Sequence, residues 1–95
     1  MSVTTEIRGD VAVIWIDNPP INATSQAVRA GILENVTAAV ENARVGAIVI
    51  ATRGRTFIAG GDVREFGPPP VPPHLPDVVN AIEQSPKPEI GRAHV

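Results

Sequence analysis

The run Val11-Ala12-Val13-Ile14-Trp15-Ile16 is β-branched and aromatic, and it follows a shorter stretch at residues 4–8 across Gly9-Asp10. The pattern predicts two strands, residues 4–8 and 11–17, joined by a tight turn. Trp15 shares a strand face with Val13, and both are expected in the core. Asn18-Pro19-Pro20 closes the second strand, because proline donates no ladder hydrogen bond. The spacing then changes. Val28, Ile32, Leu33, Val36, Ala39, Val40 and Ala43 recur at helical intervals. They predict a helix capped by Thr24 or Ser25 and running to about residue 44, with Gly46 as its stop. Arg29, Glu34, Glu41 and Arg44 are expected mostly on the solvent side. Gly31 costs this helix about 1 kcal/mol relative to Ala, and the pattern leaves open whether close packing compensates. Ala47-Ile48-Val49-Ile50-Ala51-Thr52 is apolar without alternation, which suits a strand covered on both faces. A hairpin, a long helix and a buried strand open an α/β fold, with a right-handed crossover joining the two long strands.

Beyond residue 52 the periodicity gives way to loops. Arg53-Gly54-Arg55-Thr56 is polar, residues 57–66 lead into one helical turn that Asp62 can cap, and residues 67–76 form a Pro-rich loop. Asp77 is expected to cap a second helix through about residue 84, with Val78, Ala81 and Ile82 inward. Ser85-Pro86-Lys87-Pro88 stops it. No internal repeat and no second domain is visible. Seven of the ten prolines lie between Pro68 and Pro86, so proline marks one region only.

Composition removes several function classes. With 95 residues, 43% apolar and 19% charged, the chain is globular in character, and its net charge of −2 argues against a nucleic-acid or anionic-membrane binder. The absence of cysteine removes disulfides, thiolate metal sites and Cys nucleophiles. No apolar run approaches membrane-spanning length. The first residues carry no secretory signal, which makes cytoplasm the expected compartment. His74 has no second ligand at metal spacing, so no metal site is expected. The two Asn-x-Thr sequons at Asn22 and Asn35 are read as incidental, and Glu65 and Glu83 as helix-surface residues rather than catalytic ones. Pro68-Pro69-Pro70-Val71-Pro72-Pro73 could serve as a polyproline ligand, but a stiff surface loop is the plainer reading.

The chemistry concentrates at Ala59-Gly60-Gly61-Asp62. Two glycines without Cβ allow bare backbone to approach a ligand. The amides of Gly61 and Asp62, near a short helix start, would suit an oxyanion because their dipoles are oriented before charge develops. An ordinary strand-to-helix turn capped by Asp62 fits the same spacing. Arg53, Arg55 and Arg64 form the basic cluster around this turn and read either as a solvated rim or as an attractor for phosphates.

Phe57-Ile58-Ala59-Gly60-Gly61-Asp62-Val63-Arg64-Glu65-Phe66 resembles the first oxyanion-hole motif of the crotonase superfamily, the enoyl-CoA hydratase/isomerase family, of form F-x-A-G-x-D-[ILV]-x-E-[FM]. Asn18-Pro19-Pro20-Ile21-Asn22-Ala23, Ala47-Ile48-Val49-Ile50 with Gly54-Arg55-Thr56-Phe57, and Ser85-Pro86-Lys87-Pro88 resemble three further motifs of that family in the same order. The Pro-rich insert is most similar to the hydratase part of multifunctional β-oxidation proteins. The resemblance implies an α/β fold, the N-terminal part of a crotonase-like spiral of ββα units, over residues 1–88. It implies acyl-CoA substrates, with enoyl-CoA hydratase chemistry in β-oxidation for the full-length parent; isomerisation and thioester hydrolysis are the family alternatives. A non-enzymatic module using the Pro-rich loop is the alternative outside it. The resemblance makes the Gly61 N–H an oxyanion donor, where the family usually has Ala. Ile21, Ala23, Ala59, Gly60, Asp62 and Val63 would border the CoA path. It implies no cofactor beyond the CoA of the substrate, with NAD entering only through a dehydrogenase domain, and a parent that is a homo-oligomer or fused to such a domain. The second oxyanion donor and the acid/base glutamates of the family lie downstream of the S-x-K-P strand, so these 95 residues alone are expected to be inactive. Residues 90–95 coincide with one reading frame of a common sequencing-adapter oligonucleotide, and residues 89–95 are therefore expected to be a non-native tail.

Overall fold

The computed structural model describes residues 2–18, 25–53 and 71–93. Strands β1 (Ser2–Arg8) and β2 (Val11–Asp17) form the expected hairpin, paired antiparallel from Ser2 opposite Asp17 to Arg8 opposite Val11. Gly9 takes φ +62° in the connecting turn, a conformation that costs a side-chain-bearing residue energy and glycine little. Helix α1 (Gln26–Glu41) follows. Strand β3 (Ala47–Thr52) then pairs parallel with β2, helix α2 (Leu75–Glu83) comes next, and strand β4 (Glu89–Ala93) pairs parallel with β3. The sheet order is β1-β2-β3-β4.

Pairing opposite one another places Ala12, Ile14 and Ile16 of β2 on one sheet face with Ile48, Ile50 and Thr52 of β3. That face meets Val28, Ile32, Val36 and Ala39 of α1, Val78 of α2 and Val45, which lies between α1 and β3, in one apolar cluster. Ile14, Ile16, Ile48, Val28 and Val36 are fully buried, each contributing about 1.5–3 kcal/mol of transfer free energy.

Of the two expected caps one is found, and the end of α1 and the start of α2 differ from expectation. The α1 cap is Ser25, whose Oγ accepts from the Val28 N–H at 3.3 Å. The helix stops at Glu41 rather than near residue 44, because Asn42 turns its Oδ1 onto the Arg44 N–H at 3.0 Å. Gly46 is therefore not the stop but lies between that turn and β3, donating to the Asp10 carbonyl at 2.6 Å. Helix α2 begins at Leu75, ahead of Asp77, because Pro76 is tolerated in a first turn where no intrahelical donor is needed. Asp77 is then not the cap residue itself; its Oδ2 accepts from the His74 N–H at 2.9 Å.

Gly31 does allow close packing. A Cβ there would lie 2.7 Å from Val3 Cβ, so α1 rests directly on β1. Beside this contact Asn35 donates to the Gly31 carbonyl at 2.7 Å and accepts from the Thr5 hydroxyl.

Residues 89–93 are extended in the sheet, yet their alternation is inverted for a covered strand. Glu89 pairs with Ile48, on the core face, whereas Ile90 is 60% exposed. Both Glu89 carboxylate oxygens are buried without a hydrogen-bond partner. Burial pushes this carboxyl up from its ordinary value, with the neighbouring Ser85 hydroxyl acting in the opposite sense. The Ser85 proton is already directed to the Lys87 carbonyl at 3.0 Å, so it relieves the carboxylate little.

Candidate functional site

The residues singled out for chemistry, Gly61 with Ile21, Ala23, Ala59, Gly60, Asp62 and Val63, lie outside the described residues, as do Arg55, Arg64 and Glu65. The described residues next to them in sequence are the ends of β2 and β3, the start of α1 and residues 71–73. Because β2 and β3 are parallel, both end at the same edge of the sheet. Ile16 stands opposite Thr52, and the Arg53 N–H donates to the Ile16 carbonyl at 2.9 Å. In sequence, residues 19–24 follow this edge directly after Asn18, and residues 54–70 directly after Arg53. The carboxyl ends of parallel strands are where open α/β sheets gather ligands, because the loops there are free of the ladder.

The chain just beyond both stretches is also tied together. Ser25 and α1 follow residues 19–24 in sequence, and Val71 follows residues 54–70. The Gln26 side-chain amide donates to the Pro72 carbonyl at 2.9 Å. Arg29 donates through Nε to the Pro73 carbonyl at 2.8 Å and through Nη2 to the Val71 carbonyl at 3.2 Å. Arg29 was expected on the solvent side, but it is buried, at 8% exposure. Its spacing carries the signal: with Ile32 and Val36 it recurs at i, i+3 and i+7, on the apolar stripe. These bonds also engage three successive carbonyls of the Pro-rich loop, so this part of it is held against α1 rather than offered to a polyproline-binding groove.

Lys87 was legible only as a motif letter. Its Nζ donates to the Ala39 carbonyl at 2.8 Å and the Asn42 carbonyl at 2.6 Å, closing the C-terminal end of α1 with a cation. Ser85 Oγ accepts from the Lys87 N–H at 3.1 Å and shapes the turn that aims it. Glu83, at the end of α2, is exposed, as expected of a solvated helix residue.

Trp15 is half-buried and lies on the sheet face opposite the helix-covered core, a correction to its expected place. The Arg53 guanidinium sits 3.9 Å from the centre of its ring, and the Trp15 Nε1–H donates to Glu6 Oε1 at 3.0 Å. Arg8 holds the same carboxylate with two bonds of 2.9 and 3.1 Å. The Arg8 hydrogen bonds, then that from Trp15, hold the Glu6 carboxyl below its ordinary value, and Glu6 raises Arg8 in return.

No family model matches the chain. The peroxisomal bifunctional enzyme of Danio rerio is 38% identical over 85 residues, covering 90% of this chain and 12% of that protein. Its Homo sapiens counterpart is 34% identical over 92 residues, covering 96% of this chain and 13% of its own. A solved enoyl-CoA hydratase of Mycobacterium smegmatis is 28% identical and superposes with a TM-score of 0.78 over 94% of this chain and 38% of that one. The chain belongs to the crotonase superfamily. Within it, the hairpin, α1, β3 and α2 form part of the crotonase fold. The chain spans about an eighth of the length of these two bifunctional enzymes.

Proposed function

We propose that the full-length protein containing this crotonase segment adds water across the double bond of a trans-2-enoyl-CoA in β-oxidation, giving a 3-hydroxyacyl-CoA. The observation that carries the reading is the shared edge of β2 and β3. The two stretches bearing family motifs follow the ends of these strands in sequence, and the chain just beyond both is joined at one clasp on α1. In this reading the Gly61 main-chain N–H donates to the thioester carbonyl as negative charge builds toward an enolate. Loss of one such donor costs about 2.7–4 kcal/mol of barrier. Ile21, Ala23, Ala59, Gly60, Asp62 and Val63 border the pantetheine and adenine. CoA enters as part of the substrate and no other cofactor is used, NAD serving only a dehydrogenase domain if one follows. A second oxyanion donor and the acid/base glutamates come from downstream sequence.

The test is loss of the enoyl-thioester absorbance when a short trans-2-enoyl-CoA meets the full-length protein and, separately, these 95 residues. The full-length protein should hydrate it and the 95 residues should not. A folded full-length protein that binds the thioester without hydrating it points to isomerase or hydrolase chemistry of the same superfamily. The relatives' names make the peroxisome a rival to the expected cytoplasm; imaging the tagged full-length protein separates the two. We further propose residues 1–88 as the native part of this domain and 89–95 as a non-native tail, supported by the buried Glu89 and exposed Ile90. The uninterrupted nucleotide sequence downstream of the Pro88 codon tests that.

A further inference from the structure

Pro72 and Pro73 have no N–H, so the chain around them contributes carbonyls and few donors. Such a stretch cannot fix itself through its own ladder or turn bonds and takes its position from donors elsewhere. α1 supplies them. The planar Arg29 fork reaches the Val71 and Pro73 carbonyls, and Gln26 reaches the Pro72 carbonyl between them. The connectivity gives these bonds a further meaning. Val71 directly follows residues 54–70, and Gln26 lies two residues beyond residues 19–24. The clasp therefore joins the chain just beyond the two stretches of sequence that the hydratase reading assigns to substrate. The chain just before them is already joined by the Arg53 N–H to the Ile16 carbonyl.

We infer that Arg29 is a positioning residue for the acyl-CoA site, holding the chain at the carbonyls of Val71 and Pro73, a few positions beyond the motif at residues 57–66 to which the hydratase reading assigns the oxyanion donor. The inference rests on the hydratase reading above. Arg29 touches no reacting atom in this scheme. It acts by holding that stretch of chain, and a displacement of about 1 Å at a reacting centre can cost on the order of 100-fold in rate. Lysine keeps the charge but cannot hold two divergent carbonyls as a rigid planar fork does. An oxyanion donor matters most as charge develops, so its displacement lowers kcat and kcat/KM together and leaves KM nearly unchanged.

The experiment uses the full-length protein as wild type, R29K and R29M, with a short trans-2-enoyl-CoA, and with thermal unfolding measured in parallel. The expected result is a kcat reduced about 10- to 100-fold in R29K, assayed well below its unfolding temperature, with KM within about threefold of wild type. R29M should fall at least as far. A merely structural Arg29 would lower the unfolding temperature while leaving kcat intact in the folded fraction. A folded R29K with wild-type kcat overturns the inference, and R29K decides the matter should R29M fail to fold. A wild-type protein that folds but turns over no acyl-CoA overturns the functional reading, and this inference with it. A turning-over wild type beside an equally active R29K overturns the inference alone.

Discussion

Gly31→Ala tests how closely α1 lies on β1. In a solvent-facing helix the substitution stabilises by about 1 kcal/mol, since alanine loses less backbone freedom on folding. Here the new methyl would lie 2.7 Å from Val3 Cβ, 2.8 Å from Val3 Cγ2 and 3.5 Å from Val3 Cγ1. A Cγ2 clash could be eased by rotating χ1. The Cβ clash cannot, because that atom is fixed to the backbone of β1. Either the strand or the helix must move, straining the seven-residue pairing of β1 with β2 and the Thr5–Asn35 bond. Overpacking of this kind costs about 1–3 kcal/mol. The rigid partner puts the cost in the upper part of that range. After subtracting the propensity gain, G31A should destabilise by about 1–2 kcal/mol. For a chain of this size that is a fall in Tm of roughly 4–16 °C, read by circular dichroism. V3A supplies the internal control. It removes both Cγ contacts but leaves Cβ in place, so G31A should remain destabilising in that background by a smaller amount. A rise in Tm for G31A would refute the reasoning, because propensity alone would then be acting.

Lys87→Met removes a cation from the Ala39 and Asn42 carbonyls and should cost about 2 kcal/mol in urea unfolding; an unchanged midpoint would show the bonds add nothing net. Glu89 sets one arm of the pH dependence. Its folded pKa is raised above 4.5, so the folded form binds more protons, and stability should be lost as pH rises from about 4.5 through the folded value. E89Q should flatten that slope, and an identical profile in wild type and E89Q contradicts the burial. Glu6 acts with the opposite sign. Its lowered pKa contributes stability above 4.5 that is lost as pH falls through the folded value, and this arm should shrink in high salt because the carboxylate is at the surface. Arg53→Ala uncovers the Trp15 ring and should shift its fluorescence to longer wavelength, with about 0.5–1 kcal/mol of stability lost; an unmoved emission maximum would place the guanidinium elsewhere.

Wherever one interaction dominated, the order of residues alone determined the outcome. The hydrophobic run of β2, the uninterrupted run of β3 and the 3.6-residue stripe of α1 each carry the period of their element, so the apolar face each offers to the shared core is written in its own spacing. The four ordered motifs pointed to the superfamily for a related reason, since each is a short run of residues legible without knowledge of distant contacts. Tertiary structure alone decided the roles of Arg29, Lys87 and Gly31. Each depends on a partner 28 to 48 positions away in the chain: carbonyls at 71 and 73, carbonyls at 39 and 42, and the side chain of Val3. A buried arginine and a solvated one share the same letter, and a helical glycine is a defect or a contact depending on what lies against it. Burial turns on which surfaces meet once the sheet has formed, and residue spacing along one element carries no information about the carbonyls a distant loop will present to it.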